Sequence, residues 1–126
     1  MAITLGYASP TIDCPDTAVL LAFYQKLTGW ETRYESEEYS AISPEGMAWN
    51  GGLGFQKVEN YQAPDWPGQK RPQQVHLDFY VTDLEKAQRE ALEIGAVLAE
   101  SQPEPDRWRV LLDPAGHPFC LCVEPS

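Results

Sequence analysis

The side chains best suited to chemistry gather in one stretch, Gln74-Val75-His76-Leu77-Asp78-Phe79-Tyr80-Val81-Thr82-Asp83, which holds one of the chain's 2 histidines. Its alternation predicts a strand with Val75, Leu77, Phe79 and Val81 on a packed face and His76, Asp78 and Tyr80 on the other. Imidazole titrates nearest neutrality of all side chains, so His76 suits a general base or a ligand-binding group. The competing reading is a half-buried sheet histidine bonded to a neighbour such as Asp78. Cys120 and Cys122 share a face of the last expected strand. Either could pair with His76 as a nucleophile, or serve as a small buried hydrophobe. His117 sits in a turn and is expected to order it.

The elements that would carry these residues follow from periodicity and punctuation. Tyr7 to Asp13 reads as a first strand, and Pro10 within it argues for a sheet edge. Asp16 is a good helix N-cap, Leu20, Phe23, Tyr24 and Leu27 form one apolar stripe, and Gly29 ends the helix. Strands are expected over Trp30–Glu35, Tyr39–Ser43 and Leu53–Val58, followed by a polar, proline-rich loop from Glu59 to Gln73 around Trp66. The pattern then repeats. Thr82-Asp83-Leu84-Glu85 reads as a capping box from Thr82 to Glu85, and Leu84, Ala87, Ala91 and Ile94 make the second stripe, closed by Gly95. Short strands are expected at Ala96–Glu100, Arg107–Leu112 and Pro118–Val123. Two β-α-β-β-β units that cannot each bury an apolar face are expected to share a core. That gives one domain over 1–126: module one at about 5–58, a linker loop at 59–73 and module two at about 74–124.

Composition narrows the partners. The 126 residues carry a formal charge of −10, which disfavours nucleic acid and anionic lipid and would attract a cationic ligand, although acidity also serves plain solubility. No apolar run reaches the roughly 20 residues of a membrane span and no basic signal region is present, so a cytoplasmic protein is expected. The 3 cysteines, Cys14, Cys120 and Cys122, have no zinc-finger or disulfide-framework spacing, and reduced thiols are expected. Trp30, Trp49, Trp66, Trp108, Tyr34, Tyr39 and Tyr80 offer aromatic surface for a planar or cationic ligand, or simply packing. The Trp66 loop could be a lid, a dimer contact or a buried anchor. Arg107 and Arg109 share a strand face opposite Trp108, Val110 and Leu112, where an arginine could meet a ligand carboxylate or merely solvate the surface.

The tandem repeat resembles the vicinal oxygen chelate superfamily, which holds glyoxalase I, extradiol dioxygenases and the fosfomycin- and bleomycin-resistance proteins. The wording is most similar to bacterial glyoxalase-like domain proteins. The matching pieces are Asp13-Cys14-Pro15-Asp16, Phe23-Tyr24 with Gly29-Trp30, Trp66-Pro67-Gly68, Pro72 to Asp78, and Asp113 to Leu121. The resemblance implies an α+β fold of two βαβββ modules whose curved sheets form a cup, and a homodimer as the assembly. It also implies metal positions on the first and last strand of each module. These fall on Ser9 and His76, each seven residues before its capping aspartate, on Cys120, and on Gly54 or Gln56, of which Gln56 is preferred. One histidine with a hydroxyl, an amide and a thiol is a poor set for a hard divalent ion. Asp78 could add a carboxylate outside the family pattern. The expected ligand-binding residues are thus Ser9, Gln56, His76, Asp78, Cys120 and Trp66, with no metal favoured. Two functions follow from the resemblance: metal-free binding of a small organic molecule, as in bleomycin resistance, or a glyoxalase-like lyase or isomerase using His76.

Overall fold

The computed structural model describes residues 9–47 and 51–123. Trp49 and the start of the expected first strand, Tyr7 and Ala8, lie outside the described residues. The chain divides into two compact units, with the boundary between Tyr61 and Gln62. The first contains β1 (Thr11–Cys14), α1 (Thr17–Thr28), β2 (Glu31–Glu35), β3 (Tyr39–Ser43) and β4 (Leu53–Lys57). The second contains β5 (Leu77–Val81), α2 (Leu84–Glu93), β6 (Val97–Leu98), β7 (Trp108–Leu112) and β8 (Pro118–Val123). Each unit is an open, mixed four-stranded sheet with one helix, in the order β1-β4-β3-β2 and β5-β8-β7-β6. In both, the first strand runs parallel to the last and the remaining pairs are antiparallel. The repeat expected from order and spacing is therefore a repeat of topology.

Helix α1 starts where Asp16 accepts the Ala18 N–H and ends where the Gly29 N–H reaches the Gln25 carbonyl. Its buried face is Leu20, Leu21, Phe23 and Tyr24, and the Tyr24 ring stacks on Phe55 of β4 at 5.6 Å. β1 sits at the sheet edge, as Pro10 required, but its regular pairing begins only at Thr11. In the second unit the cap is Asp83, whose carboxylate accepts the Lys86 N–H, so the cap is not Thr82. The charged Asp83 side chain is the one that reaches the free amides of the first turn.

Two strands are shorter than the alternation suggested. β5 begins at Leu77 rather than Gln74, and Val75 is 65% exposed instead of packed. In the register of Leu77 with Phe119, His76 would lie opposite Pro118, which has no N–H to continue the ladder. β6 stops at Leu98, because the Gln102 side chain takes over the pairing. Its Oε1 accepts the Val110 N–H at 2.9 Å, while Nε2 donates to the Ala99 and Val110 carbonyls at 2.9 and 2.8 Å.

The loop from Gln62 to Gln73 falls within the second compact unit. The Asp65 N–H donates to the Arg71 carbonyl at 2.6 Å, and Arg71 Nε to the Ala63 carbonyl at 2.9 Å. Ala63 in turn lies against the turn 113–117, which buried Asp113 closes by accepting the Ala115 and His117 N–H groups. Gly116 has φ +88°, and a Cβ there would come within 2.7 Å of the Ala63 Cβ. Gly116→Ala should therefore destabilise the protein by about 1–3 kcal/mol, from left-handed backbone strain and overpacking together. Urea denaturation measures it; an unchanged midpoint would mean that the turn and the loop are not tightly joined.

Candidate functional site

The pairing of β5, β8 and β7 sets out the site row by row. Asp78 lies opposite Cys120, and Cys120 opposite Val110; the next row is Tyr80, Cys122 and Trp108. Residues directly opposite in a ladder share a sheet face. The alternate set includes Leu111, Phe119 and Leu121, all at most 1% exposed, and Arg109. Arg109 reaches Gln88 at 2.8 Å and Glu85 at 3.1 Å on α2, and also bonds the Pro105 carbonyl. Helix α2 thus covers one face, Arg109 fastens it there, and the Asp78–Cys120 face is left for a ligand.

On that face is a pocket of about 360 Å³. Its apolar wall is Trp66, Pro103, Trp108, Val110 and Pro118. Its polar groups come from Gln73, His76, Asp78, Cys120 and Cys122. Trp66 and Trp108 pack against the buried cluster of Ala99, Val110 and Cys120, which holds both indoles in place. His76 Nε2 is 3.3 Å from Asp78 Oδ1, and both side chains are partly open to solvent. Burial pushes the Cys120 thiol up to about 12, reinforced by the Asp78 carboxylate and neighbouring Cys122. Cys122 is raised by burial and then by Asp78. Both thiols thus stay protonated near neutrality, and neither is poised as a nucleophile. The Gln73 Oε1 atom is buried with no hydrogen-bond partner among the described residues. Leaving such an acceptor unpaired costs about 1–3 kcal/mol.

Of the residues singled out from sequence, His76, Asp78, Cys120 and Trp66 come together in this pocket. Tyr80 shares their face but is 60% exposed and is not among the lining residues. Ser9 and Gln56 belong to the first unit. There the Ser9 hydroxyl donates to the Gly52 carbonyl at 2.8 Å. The ladder pairs Thr11 with Gly54 and Asp13 with Gln56, so Gly54 is the counterpart of Cys120 and Gln56 the counterpart of Cys122. A Cβ on Gly54 would fall 2.2 Å from the Tyr39 hydroxyl, so Tyr39 occupies the space that a ligating side chain would need. Gln73, Gln102 and Pro103 were not among the site residues expected from sequence. They lie in loops without periodicity, and only the fold brings them to the face of Val110.

The four metal positions implied by resemblance, Ser9, Gln56, His76 and Cys120, are split between the two units, so neither unit by itself holds them all as one donor set. The second unit alone does offer one: a His76 nitrogen, an Asp78 oxygen and Cys120 Sγ lie within 4.8 Å of one another. Nitrogen, oxygen and sulfur donors suit a zinc-type ion with one position open. Holding it would require removing the proton that burial and Asp78 keep on Cys120.

A glyoxalase-like domain family model matches residues 9–122. The chain belongs to the glyoxalase-like domain family. No curated protein matches it, but solved structures share the fold of this glyoxalase-like chain. A glyoxalase/bleomycin resistance protein/dioxygenase family enzyme from Burkholderia phytofirmans is 19% identical, with a TM-score of 0.69, covering 92% of this chain and 96% of its own. The bleomycin-binding protein of Streptomyces verticillus, solved with copper(II)-bleomycin, is 16% identical, with a TM-score of 0.61, covering 99% and 100%. A fosfomycin resistance protein from Mesorhizobium loti is 14% identical, with a TM-score of 0.67, covering 98% and 95%. No described helix is long and apolar enough to cross a membrane.

The raised thiols give this glyoxalase-like site a measurable signature. Cys120 and Cys122 should alkylate slowly at pH 7 and faster as pH rises, because the thiolate is the reactive form. Asp78→Asn removes the charge that raises both, so alkylation at pH 8 should accelerate by about tenfold for each unit the pKa falls. Peptide mass spectrometry after iodoacetamide reads it; an equal rate in the variant would refute the electrostatic coupling.

Proposed function

We propose that this glyoxalase-like protein binds a small organic molecule in the pocket of the second unit, without a metal, in the manner of a bleomycin-resistance-type binder. The observation that carries this reading is the pocket itself. Its size falls within the range of small-molecule sites, and two indoles and two prolines meet a few convergent polar groups. His76, Asp78, Cys120 and Trp66 are its binding residues. Ser9 and Gln56 receive no part in it. The metal-free form is supported by Gly54 standing where the first unit would supply a ligand and by the protonated Cys120.

A glyoxalase-like lyase or isomerase is the second reading, favoured by one contact. His76 Nε2 at 3.3 Å from Asp78 Oδ1 is an imidazole held by a carboxylate, the usual arrangement of a general base. His76→Ala would then abolish turnover, and the same change would be felt in binding only through the lost imidazole contact.

A small-molecule screen by tryptophan fluorescence tests the main reading. Bound compounds should perturb the emission, and Trp66→Ala should weaken them by about tenfold or more through loss of aromatic contact area. Binding unaffected by both Trp66→Ala and Asp78→Ala would place the ligand elsewhere and defeat the proposal. Elemental mass spectrometry of untagged protein should find no stoichiometric metal after incubation with zinc, manganese, nickel or iron. One equivalent of metal, lost in His76→Ala, would overturn the metal-free assignment.

A further inference from the structure

We infer that the ligand of this pocket carries a protonated nitrogen, an amine or amidine on a flat apolar body, whose N–H groups are taken by the Asp78 carboxylate and by Gln73 Oε1. The inference rests on the binding reading above and names the class of molecule.

Charge comes first. Among the described residues the pocket is lined by no lysine or arginine, and its carboxylate is that of Asp78. His76, which can become cationic, already faces Asp78 Oδ1. An anionic ligand would meet Asp78 without any compensating cation, which sets carboxylates and phosphonates aside. A carboxylate accepts at about four lone-pair sites, so Asp78 can hold His76 and still receive a ligand N–H. The thiols of Cys120 and Cys122 stay neutral beside it and offer only weak donors that a cationic N–H displaces.

Gln73 is the second anchor. Its Oε1 is buried and without a partner among the described residues, although the side chain borders the pocket. The terminal torsion of glutamine is soft, so the amide can turn its oxygen toward a ligand N–H at little cost. Asp78 and Gln73 together then present two acceptors, which matches the two-pronged N–H geometry of an amidinium. Trp66 and Trp108 supply apolar contact and ring faces that favour a cation. The net charge of −10 adds long-range attraction of the same sign.

The test compares benzamidine, benzamide and benzoate, which share a phenyl ring and differ in charge. Titration is followed by the indole N–H resonances in 15N NMR, assigned with Trp66→Phe and Trp108→Phe. Benzamidine should bind about tenfold or more tighter than benzamide, as a charge-assisted hydrogen bond implies, and benzoate should bind weakest. Asp78→Asn should bring benzamidine down to the level of benzamide, and Gln73→Leu should weaken both. Raising salt from 50 to 500 mM should weaken benzamidine alone. Because the ranking is read first on the unmodified protein, a variant that fails to fold does not spoil the test. Benzamide or benzoate binding as well as benzamidine would overturn the inference and leave the binding reading standing. Failure of all three to shift the Trp66 and Trp108 resonances would overturn the inference and the binding reading together.

Discussion

The parallel pairing of β5 with β8 is the constraint on which the site depends. With Leu77 opposite Phe119, Asp78 must lie opposite Cys120 on one face, and Phe119 and Leu121 must turn to the other. A shift of one residue would exchange the two sets. Apolar burial sets the register: Phe119 and Leu121 are at most 1% exposed, and they could not be moved to the open face without loss of the core beneath α2. The chemistry-bearing residues are thus placed by hydrophobic side chains that never touch a ligand.

The same topology in the first unit carries different chemistry. Where the second unit has Asp78, Cys120 and Val110 in a row, the first has Thr11, Gly54 and Ala41. Small residues in that row leave room for Tyr39, whose hydroxyl lies against Gly54. The second unit instead leaves its row open, and the 62–73 loop with the 113–117 turn brings Trp66 to it. Gly116 permits that approach, and the Gln102 amide stiffens the strand edge that holds Trp108 and Val110. The same topology thus carries a tyrosine over Gly54 in one unit and a pocket beside Cys120 in the other. Within the pocket, Asp78 is the hub: it faces the His76 imidazole and raises both thiols.

Much of the fold was legible in the chain. Asp16 and Gly29 bracket α1, Leu20, Phe23 and Tyr24 mark its inner face, and β3 and β8 span the ranges expected for them. Caps and periodicities are local, acting within a turn or a strand, so they are written in adjacent residues. His76, Asp78 and Cys120 stood out by type for the same reason. Their meeting is a different matter, since it depends on the β5–β8 ladder across more than forty positions of sequence.

Tertiary structure decided the rest. It chose Gly54 over Gln56 as the partner of Cys120 in the repeat, because a period-two pattern fits either and only ladder pairing selects one. Pro118 ended β5 at Leu77 from a distant strand, and Gln102 replaced part of β6 with its side chain. Gln73 became a buried acceptor, without a partner among the described residues, only once a loop without periodicity had folded beside the pocket. The sequence by itself determined the elements and the residue types available, because helix caps, turns and apolar stripes are short-range. The pocket, the state of its thiols and the acceptors it presents were decided by long-range pairing and burial, which no local pattern encodes.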